Sequence, residues 1–271
     1  MGGHHSQKTC ELSEECGMHQ FFVKPEQIQG KTIRITGRDV NHIKNVLRMK
    51  PGEEISVSNG EDGKEYRCGI ETLSEEEIVC TLRFIKEDGL ELPCRITLFQ
   101  CLPKADKMEL VIQKAVELGA YEVIPVAAKR CVVRLDAKKE KSKLERWQQI
   151  AEAAAKQSRR RIVPHVGPVM NMQEAISYAS GMDVRLFPYE LAEGMAQTKR
   201  LMESVKAGQS VAVFIGPEGG FEDSEVEAAV KAGFAPITLG RRILRTETAG
   251  FTVLAWLMYL LEAQAEERPE A

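Results

Sequence analysis

The chain has 271 residues, 43% of them hydrophobic and 28% charged, with a formal net charge of −3. That balance suits a globular protein with room for two domains. It excludes a global positive field as the means of attracting nucleic acid, and the longest apolar run, residues 249–261, is too short to span a bilayer.

Residues 1–17 are polar, carry His4 and His5 and hold no apolar core, so they are read as a leader or disordered extension and not as a signal peptide. Met18 is the expected natural start. Residues 18–90 are short alternating segments, at 32–36, 54–58, 66–73 and 78–85, separated by turn signals such as Asn59-Gly60. One helix, 39–48, interrupts them. This predicts a small β-barrel domain, with a linker over 88–93.

From residue 91 to 271 the rhythm changes to strand and helix in alternation. Strands are predicted at 96–101, 122–126, 184–187, 211–215 and 237–239. Helices are predicted at 107–118, 144–157, 224–232 and 247–263, the third opened by a Ser224–Glu227 capping box. Such βα repetition implies an α/β fold with a mostly parallel sheet.

Charge is unevenly placed. Residues 129–161 hold 12 Lys/Arg against 4 Asp/Glu, which fits either a local polyanion site or a solvated helix face. The seven cysteines include no CxxC pair, and the five histidines form no ligand array. Reduced thiols, a cytoplasmic location and no structural metal are expected.

Two loops carry candidate chemistry. The apolar strand 211–215 runs into Gly216-Pro-Glu-Gly-Gly220 and then a helix. Open α/β sheets bind ligands at such strand ends. A P-loop would need a lysine after Gly220, and a dinucleotide fingerprint would need GxGxxG; neither is present. A plain tight turn stays open as an alternative. The second loop, 239–249, packs Arg241, Arg242, Arg245, Glu247 and two threonines into a strand-to-helix turn. Thr246 as cap and Glu247 near the helix dipole would suit any helix start. The arginines do not, since they sit at the dipole's positive end.

With residues 216–221, this loop resembles the signature of the knotted SPOUT methyltransferases. More narrowly, the chain resembles the RsmE family, which methylates N3 of a uridine in bacterial 16S ribosomal RNA. His42, Val46, Leu47 and Arg48 are similar to the family's HxxxVLR element. Residues 98–119, reading LFQCLPKADKMELVIQKAVELG, resemble its first βα unit, and residues 146–159 its central helix. The likeness covers nearly the whole chain. Ala105 and Ala153 depart from it, standing where the family has Gly and Glu.

The resemblance implies an α/β trefoil-knot domain, a PUA-like N-terminal barrel that helps hold RNA, and a homodimer. It implies S-adenosylmethionine as methyl donor and 16S ribosomal RNA or the 30S subunit as partner. The implied donor site comprises Leu186, Phe187 and Pro188, then Ile215, Gly216, Pro217, Glu218, Gly219 and Gly220, then Leu239, Gly240, Ile243, Leu244, Thr248 and Ala249. Arg245 is the implied stabiliser of charge on the uracil, and Glu247 a base or orienter. Candidate RNA contacts are His42, Arg48, Arg130, Arg134, Arg159, Arg160, Arg161 and Arg241. Two other readings compete: a non-catalytic RNA-binding module, and a class I methyltransferase or dehydrogenase. The second would need a glycine-rich first βα loop, and residues 98–107 contain no glycine.

Overall fold

The computed structural model describes residues 18–87, 90–190, 192 and 194–266. The expected leader, residues 1–17, and part of the expected linker, Asp88 and Gly89, lie outside them. The chain forms two compact units. One is built on residues up to Leu90 with Arg159–Ile162; the other holds Glu91–Ser158 and residues from Val163 onward.

The first unit is a six-stranded sheet. Its strands are β1 (Gln20–Phe22), β2 (Ile28–Gln29), β3 (Thr32–Thr36), β4 (Glu54–Ser58), β5 (Glu65–Leu73) and β6 (Glu77–Lys86), in the order β1-β4-β5-β6-β3-β2. Alternation explains the core: Ile33 and Ile35 on β3 point inward with Phe21, Ile55, Val57 and Ile78. The pairing is antiparallel except between β1 and β4. The predicted helix at 39–48 is shorter. A single turn, α1 (Arg38–Asn41), widens into a π-type turn at His42–Val46, with Leu47 N–H reaching the His42 carbonyl at 2.9 Å. Arg48, at φ 56°, ends it.

The segment Arg159–Ile162 corrects the reading of the basic stretch. Arg160 and Arg161 are buried, and the Arg161 guanidinium bonds Glu65 at 2.5 Å and the Lys86 carbonyl at 3.2 Å. Ile162 bridges Gly60, and Gln20 donates to the Arg160 carbonyl. The Arg161 guanidinium is thereby engaged within the first unit and not available to phosphates, and Arg160 is buried next to it. Arg159 is exposed.

The second unit opens with β7 (Arg95–Cys101), α2 (Lys107–Glu117), β8 (Glu122–Ala127) and α3 (Ala137–Gln157). Then come β9 (His165–Val166), β10 (Met170–Asn171), α4 (Met172–Ala179), β11 (Val184–Pro188) and α5 (Met195–Glu203). It closes with β12 (Ser210–Ile215), α6 (Asp223–Lys231), β13 (Ala235–Ile237) and α7 (Thr246–Glu266). The parallel sheet runs β10-β8-β7-β12-β11-β13, with β9 also on β8. Strands β7 and β12 are central and covered on both faces, which is why they read as continuous apolar runs. Phe99 and Phe214 stack between them at 4.3 Å.

Several elements differ from expectation. Helix α3 begins at Ala137, capped by Asp136, whose carboxylate accepts from Lys139 N–H at 2.9 Å. Its first turns are charged and solvent-facing, so they lack the apolar period used to find it. Helix α6 is opened by Glu222 and Glu225, not by Ser224 and Glu227. Strand β13 ends at Ile237, where Tyr189 N–H takes the Ile237 carbonyl, leaving residues 238–245 as loop. From this edge strand the chain returns to the sheet's centre, and α7 packs on α2 and β12.

Candidate active site

Strands β11, β12 and β13 end side by side, and the loops after them enclose a cavity of about 410 Å³. This is where the strand order turns: β12 joins β7, formed early, to β11, formed late. Pro188, Ile215, Gly216, Pro217, Glu218 and Gly220 line it from one side. Leu239, Gly240, Ile243, Leu244 and Ala249 line it from the other, with Arg241 and Arg245. Sequence reasoning assigned a role to each of these residues.

Four expected donor-site residues do not line the cavity, and neither does Glu247, the expected base or orienter. Leu186 and Phe187 are fully buried behind it, where Phe187 packs on Phe221 at 4.5 Å. Gly219 turns toward Arg130, which donates to its carbonyl at 3.1 Å. Thr248 is exposed on α7. Lys107, Tyr189, Glu190, Phe221, Thr238, Arg242 and Thr246 line the cavity without having been assigned to it. Lys107 carried one signal, its place at the start of a helix just after a strand-end loop.

Glycine is required at two points for different reasons. Gly216 lies under Phe221, where an added Cβ would come within 3.0 Å of the ring. Gly240 adopts φ 105°, a conformation closed to ordinary side chains.

Thr246 suits the cap of any helix start, and here it is the first residue of α7. Its hydroxyl donates to the Gly216 carbonyl at 2.6 Å and accepts from Gln100 Nε2 at 2.9 Å. This ties the second loop to the first. Glu218 ties the first loop to the turn before α2, accepting from Lys104 N–H at 3.0 Å. Burial disfavours the charged form of Glu218, but the Lys104 bond and the Lys107 and Lys104 charges outweigh that and hold its pKa below the usual value.

The electrostatics are asymmetric. Arg241, Arg242 and Arg245 are exposed, and among the described residues their side chains have no hydrogen-bond or ion-pair partner. Glu247 is paired with Lys107 at 3.2 Å. Arg130 and Arg134 bond loop carbonyls, Arg134 reaching those of Ala128 and Lys129, so they brace residues 128–134. His42 and Arg48 are exposed on the first unit. Among the described residues no group of His, Cys, Asp and Glu is arranged to hold a metal, and no helix is long and apolar enough to cross a membrane.

A parallel α/β sheet with a slot at its strand ends, bordered by unpaired arginines, defines a class: an enzyme that brings a small molecule to an anionic substrate. Comparison with known proteins narrows it. Residues 90–258 match the model of an RNA methyltransferase domain, and residues 35–83 that of an RNA methyltransferase PUA domain. Ribosomal RNA small subunit methyltransferase E of Bacillus subtilis is 37% identical over 251 residues, spanning 90% of this chain and 98% of that protein. The Neisseria gonorrhoeae enzyme of the same name, solved bound to S-adenosyl methionine, is 32% identical over 90% of this chain and 98% of its own, with a TM-score of 0.76. A putative methyltransferase from Legionella pneumophila, solved with bound cofactor SAM, is 30% identical over 89% of this chain and 97% of its own, also at 0.76.

The chain therefore belongs to the RsmE family of RNA methyltransferases. Its fold is an α/β domain on a parallel sheet, like that of its RsmE neighbours, together with a PUA-like sheet.

Proposed function

We propose that the protein transfers a methyl group from S-adenosylmethionine to N3 of a uridine in 16S ribosomal RNA. The observation that carries this reading is the strand-end cavity. At about 410 Å³ it has the size of a small-molecule site. Ile215, Pro217, Leu239 and Leu244 give it apolar walls, while Gly216, Gly220 and Gly240 expose backbone for polar contacts. Those walls suit the adenosine and sulfonium of a methyl donor, and the unpaired Arg241, Arg242 and Arg245 among the lining residues suit an anionic RNA acceptor. Its solved relatives with bound donor support the same choice.

When bound, the donor supplies an electrophilic methyl group on sulfur. The protein's residues do the rest. The loops fix the approach of the acceptor, and positioning of this kind supplies much of the acceleration in a displacement reaction. Loss of the N3 proton to a base leaves negative charge on the uracil oxygens, and attack of N3 on the methyl then consumes it as the sulfonium leaves as a neutral thioether. Arg245 lines the cavity with its guanidinium unpaired, and its forked donors suit those oxygens. Glu247 serves as base or as orienter, held by Lys107.

On the RNA side the second unit offers Arg241, Arg130 and Arg134, and the first offers His42, Arg48 and Arg159. The substrate is the free 16S RNA or the assembled 30S subunit, and the work is cytoplasmic. The protein acts as a homodimer through α7. Val253, Leu254, Leu257 and Leu261 of that helix face the core. Trp256, Tyr259 and Leu260 line a groove with Met195 and Met202, and Tyr259 is 70% exposed. An apolar surface of this kind suits a second copy.

Mass spectrometry of 16S RNA from a deletion strain tests the function. One 3-methyluridine should vanish and return on complementation. An unchanged methylation pattern would sink the reading.

A further inference from the structure

Gln100 is a polar residue where the sequence otherwise reads as core. It lies on β7 between Phe99 and Cys101, all three fully or almost fully buried. Burying an amide costs free energy unless its groups are bonded. Its Nε2 makes two bonds, to the Cys101 carbonyl at 3.0 Å and to Thr246 Oγ1 at 2.9 Å. Its Oε1 has no partner among the described residues and faces Gly250, whose added Cβ would sit 3.5 Å away. The amide's orientation follows from its neighbours: turned over, it would aim its oxygen at the Cys101 carbonyl.

The bond from Gln100 fixes a second one. Having accepted from Gln100, the Thr246 hydroxyl is aligned to donate onward, and it does so to the Gly216 carbonyl at 2.6 Å. Thr246 and Gly216 both line the cavity, on opposite loops; Gln100 does not. A relay thus runs from the central strand through the start of α7 to the loop after β12. A buried leucine at position 100 would spare the unpaired Oε1. An amide retained there at that cost serves an orientation.

We infer that Gln100 is a positioning residue for the methyl-donor pocket, setting the separation of its two loops through Thr246 and Gly216. The inference rests on the cavity being the donor site. Gln100 does not line the cavity; it orders the Thr246 hydroxyl, and Thr246 holds the Gly216 carbonyl in place at 2.6 Å.

The test is calorimetric binding of S-adenosylmethionine to wild type, Q100L, T246V, T246S and the double variant Q100L/T246V, with melting temperatures on the same samples. Q100L and T246V should each weaken binding about tenfold, the scale of one lost buried hydrogen bond. The double variant should be no worse than the weaker single one, because the two residues act in one chain. T246S keeps the hydroxyl and should recover most of the affinity that T246V loses. Q100L should raise KM for the donor with kcat at saturation largely kept. A purely structural role predicts a lower melting temperature with wild-type affinity, and that result would overturn the inference. So would additive losses in the double variant. If Q100L does not fold, T246V against T246S makes the same comparison with Gln100 in place, and equal binding by those two overturns the relay. A wild-type protein that binds no donor overturns the pocket reading itself, whereas tight wild-type binding with an unaffected Q100L overturns only the role of Gln100.

Discussion

Lys107 Nζ lies 3.2 Å from Glu247 Oε1, joining the first residue of α2 to the second residue of α7. Glu247 is therefore engaged by lysine, and Arg245, two residues before it, is not its partner. The pair is partly exposed, so its contribution to stability is small, about 0.2–1 kcal/mol. Its consequence is for the site: one carboxylate is held in place, and one guanidinium is left for substrate.

The first prediction follows from that free guanidinium. Arg245→Ala should keep donor affinity and melting temperature while turnover falls about 100- to 1,000-fold, the loss typical of one transition-state donor. Methylation rates and donor binding on the same variant check it. Loss of stability and donor affinity together would make Arg245 a structural residue.

Ala105 gives the second. It adopts φ 56°, a left-handed conformation that glycine enters without strain. An L-residue there carries about 1–2 kcal/mol of strain that glycine avoids, less the entropy glycine adds to the unfolded chain. Ala105→Gly should therefore stabilise the protein by about 1 kcal/mol in denaturant titration. A destabilised variant would show that the turn tolerates alanine without strain.

Arg161 gives the third. Its side chain and that of Glu65 are 3% and 8% exposed. Removing one partner of a buried pair leaves an uncompensated charge and costs about 3–5 kcal/mol. Arg67, also on Glu65, softens the loss, so Arg161→Ala should destabilise by about 3 kcal/mol. The slope of RNA affinity against salt should hardly change. A flattened slope at native stability would return Arg161 to the phosphate contacts.

The fourth concerns pH. Glu218 has its folded pKa held below the ordinary 4.5. A lowered carboxylate pKa means stability that is present in full above the unfolded value and lost as pH falls through the folded one. The melting-temperature gap between wild type and Glu218→Gln should be constant from neutral pH down to about 5 and close in stronger acid. A gap that grows on acidification would reverse the sign and contradict the bond to Lys104.

Much of this was legible in the sequence because the signals were local. Alternation located β3 and β4, and glycine spacing with three arginines located the two loops. What escaped depended on distant contacts. The burial of Arg161 requires Glu65, far away in the chain, and a run of arginines looks the same whether solvated or paired. Helices α4 and α5 were not anticipated, nor the short strands β1, β2, β9 and β10, which pair through only two or three residues each. Leu186 and Phe187 were expected at the site with Pro188 as one strand-end loop, but both lie within β11 and are buried in the core. Gln100 was visible as a polar residue in an apolar strand; its bond to Thr246, 146 positions on, was not.

The measurement closest to the central claim is transfer in vitro. Purified protein is incubated with methyl-labelled S-adenosylmethionine and unmodified 16S RNA, free or in 30S subunits, and the digested nucleosides are resolved by mass spectrometry. The account predicts label in 3-methyluridine at a single position, formed about 100- to 1,000-fold more slowly with Arg245→Ala. Label in another nucleoside, or no transfer to either substrate by protein that binds the donor, would contradict it.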